Sequence, residues 1–409
     1  MEARQVRGLE IVTNSEITRR DNFWIVPSQS SSKSYAVTID PPECNCPDFK
    51  KTAIKCKHIF AVQYYVERER GYLLPVVPKQ RKTYRQVWPA YNLAQTNEKP
   101  KFLELLYELT RHVEDLPRKA GAGRNRLPLR DMIYCAAFKT YSLFSGRRFD
   151  SDVEEAQRRG YISRAPHFNS IFNYLELKEM TAWLQRLIAT SSLPLNAVEW
   201  NFAVDATGIS TGTYQKWVEA KWANVRTLFG AKVPNEVNRK DWVKLHLICG
   251  VQTNIVTGVR VTDAHAGDSP HFGPLVETTS ENFPIQSVAA DKAYSAEKNL
   301  KLVLVKGGMP YIDFRCNATT ENPQSGDVWK RMLRFYQYNQ ESFMEHYHRR
   351  SNVEATFSMI KRKFGDRVRG KTETARINEV LCKVLCHNIC CLVQSIYELG
   401  IEVDFREER

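Results

Sequence analysis

Acidic residues are in short supply in this chain. Against 59 lysines and arginines it sets only 46 aspartates and glutamates, which leaves a net charge of +13 and a pI near 9.2 over 409 residues. Such an excess points toward a polyanionic partner, because phosphate neutralisation by Lys and Arg supplies most non-specific nucleic-acid affinity. On charge alone, a merely basic globular protein stays open. No leader is expected either, since the opening MEARQVRGLE is charged and has no apolar core. No uncharged apolar run reaches the roughly 18 residues that span a bilayer. The expectation is a cytoplasmic, nucleoid-associated protein with no membrane partner. No internal repeat is visible, which removes solenoids and propellers. In a cytoplasmic setting, ten cysteines in a chain of this size read as reduced thiols or metal ligands rather than a disulfide framework.

Hydrophobic residues make up 43% of the chain, enough for a core and for two or three domains. Residues 1–72 read as a small unit of strands followed by a helix. Phe23–Val26 and Tyr35–Ile39 are runs of strand formers around a serine-rich turn, and His58–Glu67 has helical character. A basic, proline-containing linker follows (Pro75, Pro78, Lys79, Arg81, Lys82, Arg85) and opens a mostly helical segment, 73–195. Within it, Phe102, Leu103, Leu105, Leu106 and Leu109 recur at helical spacing. The stretch PRKAGAGRNRLPLR is either a DNA-touching loop or a solvated connector. Ser163–Ile171 has the look of an entry to a recognition helix, with plain helical packing as the alternative.

From about residue 196 the pattern changes to an α/β alternation. Val198–Val204 reads as a strand. Lys244–Cys249 and Ile255–Val261 flank Thr253-Asn254 as a hairpin. Val288–Ala290 and Tyr311–Phe314 supply two more strands, and a long helical stretch is expected over about 327–364. Three hairpin-connected strands, then strand–helix alternation and a closing helix, match a ribonuclease-H-like mixed sheet over 196–370. A packed C-terminal helix follows, within 371–409.

Three carboxylates stand out. Asp205 and Asp291 each close an apolar, strand-like run, and Glu354 lies in Tyr347-x2-Arg350-x3-Glu354-x6-Lys361. At 100° per residue these four share a helical arc of roughly 60°. Magnesium or manganese takes oxygen ligands and keeps several waters, so two or three carboxylates suffice for a phosphoryl-transfer site. The alternative for each Asp is a helix N-cap or turn, and for Arg350 an i,i+4 ion pair with Glu354. Arg350, Lys361 and Tyr347 are suited to phosphate contacts. Lys292, directly after Asp291, is a further DNA-contact candidate.

The segments D-A-T-G from Asp205, D-K-A-Y-S from Asp291 and the Tyr347–Lys361 block resemble, in order, the three blocks of prokaryotic insertion-sequence transposases of the DDE class. That resemblance covers roughly 196–370. It implies a ribonuclease-H-like catalytic core, DNA cleavage and strand transfer, and Asp205, Asp291 and Glu354 as the metal ligands. It also implies transposon ends and target DNA as partners, with a homodimer in a synaptic complex. Two rivals stand beside it: a structure-specific nuclease or resolvase on the same fold, and a domesticated DNA-binding regulator without catalysis.

A second cluster sits near the start of the chain. Cys44-x-Cys46-x9-Cys56-x-His58 offers three thiolates and an imidazole, the donor set of a tetrahedral zinc site. Its spacing resembles the SWIM zinc domain, and zinc would supply folding energy that a unit of about 70 residues struggles to find in apolar burial. Cys382, Cys386, Cys390, Cys391 and His387 read as core filling, with a second metal site as the alternative. His265 and Asp268 read as a polar turn. Trp217 and Trp222 are either base-stacking or sheet-packing residues.

Overall fold

The computed structural model describes residues 3–29, 33–72, 87–117, 125–211, 242–315, 317–320 and 326–405. The basic linker with Pro75 and Arg85, residues 118–124 of the glycine–arginine stretch, and Trp217 and Trp222 lie outside these residues. By compactness the chain divides into two units, Met1–Arg85 and Gln86–Arg409.

In the first unit, helix α1 (Ala3–Asn14) precedes a four-stranded antiparallel meander: β1 (Thr18–Arg20), β2 (Phe23–Pro27), β3 (Ser34–Ile39) and β4 (Pro42–Cys44). Short helix α2 (Pro47–Thr52) and α3 (Lys57–Glu69) follow. The expected strands and closing helix are present; α1 and the two edge strands add to them. Helix α1 packs on α3, and the approach is close enough that a Cβ at Gly8 would meet Phe60 Cβ at 2.7 Å. Ile11, Val26, Val37, Ile59 and Val62 form the core together with the three cysteines.

The second unit opens with helices α4 (Trp88–Thr110), α5 (Leu129–Ser142), α6 (Asp150–Arg158), α7 (Phe168–Leu175) and α8 (Lys178–Ser192). Ile171 of the suggested recognition helix α7 is buried, and α7 packs on α5. The sheet comprises β5 (Asn201–Ser210), β6 (Trp242–Gly250), β7 (Val256–Asp263), β8 (Ser287–Ala290) and β9 (Met309–Ile312), in spatial order β7-β6-β5-β8-β9. Strands β5, β8 and β9 run parallel, and β6 runs antiparallel to both its neighbours. Order 3-2-1-4-5 with the second strand reversed is the ribonuclease-H-like arrangement, so the chain is a mixed α/β protein of that class with a small N-terminal Cys/His unit.

Helices α9 (Ser269–Ser280) and α10 (Glu297–Val305) cover one sheet face, where Phe202, Val204 and Ile248 meet Phe272, Leu275 and Leu300. On the other face Ala203, Leu245 and Leu247 meet the N-terminal helices and the last ones. The alternation of Phe202, Ala203 and Val204 between two cores is the period of a strand buried on both sides.

The expected long helix over 327–364 is divided into α11 (Asp327–Tyr338), α12 (Gln340–Tyr347), a 3₁₀ turn at His348–Arg350, and α13 (Ser351–Phe364). The first break comes at Asn339, whose φ of −123° lies outside the helical region. Helix α14 (Glu373–Leu399) is capped by the Thr372 hydroxyl, which accepts from Ala375 N, and by Gly400 in the left-handed region. It is long and apolar enough to cross a membrane by composition, but it is largely buried against α4, α5 and α8. Cys382 and Cys386 fill that interface. Asn388 ties three elements together: its amide donates to Ile188 O, Ser191 Oγ and Val256 O, and its carbonyl accepts from Val256 N.

Strand β5 begins three residues later than the expected Val198 and runs five residues beyond Asp205, paired with β6 throughout. Asp205 is therefore not at the end of its strand. It is the point at which the parallel neighbour stops, since the β5–β8 ladder ends at Val204 with Ala290.

Candidate functional site

Asp205 and Asp291 each follow one residue of that last ladder pair. Two parallel strands thus present carboxylates side by side, at a strand spacing of about 4.8 Å. The structure extends the row. Asp313 follows Ile312, the partner of Ala290 on β9, and donates its N–H to Ala290 O at 3.3 Å. Asp313 is a residue the sequence reading missed, because its neighbourhood is set by strand pairing alone.

Asp205 shares its sheet face with Ala203, so it points toward α13 and not toward α9 and α10. From the 3₁₀ turn before α13, Arg350 reaches across to it: Nη1 donates to Asp205 Oδ2 at 2.8 Å, and Nη2 donates to Glu354 Oε1 at 2.6 Å. The i,i+4 pair considered as an alternative is real, and it is one arm of a bridge to the strand. Glu354 stands in the first turn of α13, more than half exposed. Lys361, two turns on, donates to Thr207 Oγ1 at 2.7 Å. Asp205, Thr207, Glu354, Phe357, Lys361 and Asp366 line an open cleft of about 590 Å³.

Burial pushes the Asp205 carboxyl above the usual aspartate range. Its own neighbour's N–H (Ala206, 2.8 Å) and Arg350 oppose the rise, and the charges of Asp291 and Glu354 add to it. Asp291 and Glu354 are therefore close enough to act on Asp205. Asp291 also caps the 3₁₀ turn Lys292–Tyr294, with Oδ1 accepting from Ala293 N at 2.7 Å. Lys292 is exposed beside it. Tyr347 ends α12, and burial raises its phenol while Arg350 lowers it.

Oxygen donors of this kind suit a hard divalent cation. Arg350 holds the place of positive charge between Asp205 and Glu354. Among the described residues, the group whose donor atoms all lie within 4.8 Å of one another is Cys44, Cys46, Cys56 and His58, all buried. His58 Nδ1 is 3.9 Å from Cys44 Sγ and 3.8 Å from Cys56 Sγ. With metal–sulfur bonds near 2.3 Å and metal–nitrogen bonds near 2.0 Å, a tetrahedron sets such pairs roughly 3.5 Å apart. The measured spacings exceed that by about 0.3–0.4 Å, so the donor set fits a zinc-sized ion after a small contraction. Contact with Cys56, then burial, raises the Cys44 thiol, and contact with Cys44 lowers that of Cys56.

The remaining candidates resolve into structure. Cys391 Sγ lies 3.4 Å from His387 Nε2, which meets Asn254 O at 2.9 Å, a packed arrangement around α14. His265 N donates to Asp263 Oδ1 in a turn, and Asp268 pairs with Lys244 at 2.6 Å.

Comparison with known proteins places names beside this geometry. A family model described as "Transposase DDE domain" matches residues 197–389, and one described as "SWIM zinc finger" matches residues 35–67. No curated protein matches the chain. Among solved structures it is similar to the cryo-EM structure of a piggyBac transposase synaptic complex with hairpin DNA, at 10% identity and a TM-score of 0.34, over 80% of this chain and 79% of that one.

Proposed function

We propose that the chain cleaves DNA at the ends of a mobile element and joins the freed 3′-hydroxyl to target DNA, on the matches of a transposase DDE domain model to residues 197–389 and a SWIM zinc finger model to residues 35–67. One observation carries this reading. The β5–β8 register sets Asp205 and Asp291 one residue past the same ladder pair, and Arg350 ties Glu354 to Asp205 at an open cleft, which supports reading the three as one ligand set.

Magnesium or manganese held by these three carboxylates would activate the attacking oxygen and stabilise the leaving one. The protein's own groups do the rest. Asp205 and Asp291 fix two ligand positions on a rigid sheet, and Glu354 brings the third from a helix. Lys361 and Arg350 present cations to the scissile and flanking phosphates, Arg350 by a two-pronged contact. Tyr347 donates to a phosphate oxygen, and exposed Lys292 meets the backbone beyond Asp291. In the first reaction water attacks phosphorus and the 3′-oxygen leaves, taking a proton. In the second that 3′-oxygen attacks a target phosphodiester and displaces the target's own 3′-oxygen. Two ends have to be joined, so two copies of the chain act together. Zinc held by Cys44, Cys46, Cys56 and His58 stabilises the N-terminal unit, which serves end recognition or assembly.

The test is nicking and joining of oligonucleotides that carry the terminal repeats flanking the gene, with Mg²⁺ or Mn²⁺, by the wild type and by Asp205→Ala. Metal-dependent activity lost in the variant supports the reading. Equal activity in both removes Asp205 from the site, and nicking without joining favours a nuclease.

A further inference from the structure

One surface of the helical segment turns large apolar side chains to water. Leu143 is 57% exposed, Phe144 46% and Phe172 40%, and none of them lines the cleft beside Glu354. Leu143 closes α5 with a φ of 59°, a left-handed conformation that strains a bulky residue. The loop after it lies on α7, where a Cβ at Gly146 would meet Phe168 at 3.0 Å. Helix α7 buries Ile171 and leaves its next residue, Phe172, in solvent, with the Phe168 and Phe172 rings edge to face at 6.3 Å. Lys139 of α5 ties loop and helix together. Its ammonium lies 5.3 Å from the centre of the Phe172 ring and 3.5 Å from the Phe144 carbonyl oxygen.

Three cations stand in this surface without a counter-charge. Lys139 is half-buried, and Arg147 and Arg148 are exposed directly after Gly146. Among the described residues, no carboxylate lies within ion-pair distance of any of the three. The acid whose charge acts on Lys139 is Glu379, and that carboxylate already accepts from Arg369 N and Gly370 N at 2.7 and 2.9 Å. Exposed rings beside unneutralised cations are the combination that single-stranded nucleic acid calls for: rings stack on bases, and cations follow the backbone. A duplex hides the faces of its bases and leaves Phe144 and Phe172 unused. A second copy of the chain across a two-fold axis would bring the same cations to the same contact, where like charges oppose each other.

We propose that Phe144 and Phe172, with Lys139, Arg147 and Arg148, form a platform for unpaired DNA on the helical segment, apart from the carboxylate cleft. The two rings stack on bases, Lys139 meets a phosphate beside Phe172, and the arginines carry the backbone onward. Stacking is tolerant of sequence, because every base has a π-face. The platform therefore holds an opened strand and does not read a terminal repeat. This inference rests on the reading that the chain acts on DNA.

The experiment is fluorescence anisotropy of the full chain with a labelled thymidine oligonucleotide of about 16 nucleotides and with a duplex of the same length. No magnesium or manganese is added, so that no strand is cut. The expected result is that Phe144→Ala and Phe172→Ala each weaken binding of the single strand about tenfold and leave duplex affinity unchanged. Phe144→Tyr keeps the ring and the wild-type affinity, which separates stacking from a general effect on the loop. Lys139→Met lowers the slope of log affinity against log salt by about 0.7 for the single strand. Wild-type single-strand affinity in both alanine variants overturns the platform and leaves the DNA reading standing. So does a wild-type dimer, seen by sedimentation, that the alanine variants split with no change in strand affinity, because the patch then belongs to a second copy. A wild-type chain that binds neither strand nor duplex overturns the DNA reading itself.

Discussion

Arg350 and Asp205, 145 residues apart in the chain, are joined by a 2.8 Å hydrogen-bonded ion pair from the turn before α13 to the middle of β5. The same guanidinium holds Glu354, so a side chain suited to phosphate occupies the charge balance of two acids suited to a cation. Under the proposed function, ions and DNA would compete for this one residue: Arg350 would release its carboxylates to a cation and turn to a phosphate.

This competition makes Arg350→Ala a two-sided variant. Removing the cation leaves Asp205 and Glu354 with a stronger field for a divalent ion, worth on the order of 1 kcal/mol after solvent screening of the exposed Glu354, or about fivefold. Mn²⁺ titration of the DNA-free variant is expected to show tighter binding than wild type, while cleavage of end DNA falls because the phosphate contact is gone. Unchanged Mn²⁺ affinity would mean that the bridge does not guard the site.

The raised Asp205 carboxyl has a pH consequence with a definite sign. A carboxyl whose folded pKa exceeds its unfolded value binds its proton more tightly in the folded protein. Its contribution to stability is complete below the usual aspartate range and is lost as pH rises through the folded value. Asp205→Asn removes that loss. Melting curves are expected to show the variant above wild type at neutral pH, with the gap closing on acidification into the ordinary carboxylate range, while nicking is abolished. A gap that widens toward low pH would contradict the assigned cause, which is burial.

Lys383 offers a test of how helix α13 ends. It is 3% exposed on α14, and its ammonium donates to Phe364 O, Gly365 O and Arg367 O at 2.7–2.9 Å. These carbonyls close α13 just before the chain returns to β5, where Ser210 N donates to Asp366 O and Val368 N to Ser210 O. Lys383→Met keeps the volume and strands the three acceptors, at a cost of about 3 kcal/mol. Urea denaturation should register it. A loss under about 0.5 kcal/mol, the scale of an ordinary surface change, would show that the turn finds other donors.

What the sequence made legible and what it hid divide along one physical line. The β6–β7 hairpin was readable because its turn is local: Asn254 takes a positive φ of 62°, a conformation asparagine tolerates. Strand β5 past Asp205 was not, because Ala206, Thr207 and Gly208 lack the bulk that marks a strand. The bulk comes from the partner, where Trp242 lies so close over Gly208 that a Cβ there would sit 2.2 Å from its ring. Asp205, Asp291 and Glu354 were visible as residues with the right flanks. The row that adds Asp313, and the reach of Arg350 to Asp205, depend on pairing between segments far apart in sequence. The helix break at Asn339 was missed because the apolar spacing runs through it.

The N-terminal unit carries the sharpest metal prediction. Its core is small, and three of its buried apolar positions are the cysteines themselves. Without an ion, three thiols and an imidazole are confined together, with the Cys44 thiol raised by Cys56 and by burial. A bound ion displaces the thiol protons and makes four bonds, and structural zinc contributes roughly 10–16 kcal/mol of apparent binding energy in peptides that fold around it. Purified protein is expected to hold one zinc per chain by elemental analysis and to lose it in Cys56→Ser. Chelation is expected to unfold residues 1–85 and leave the transition of residues 86–409 in place. Hydrogen exchange resolved by segment reads both units in one experiment. If the amides of β2, β3 and α3 stay protected after zinc is removed, the apolar core holds this unit by itself, and the four donors serve something other than its stability.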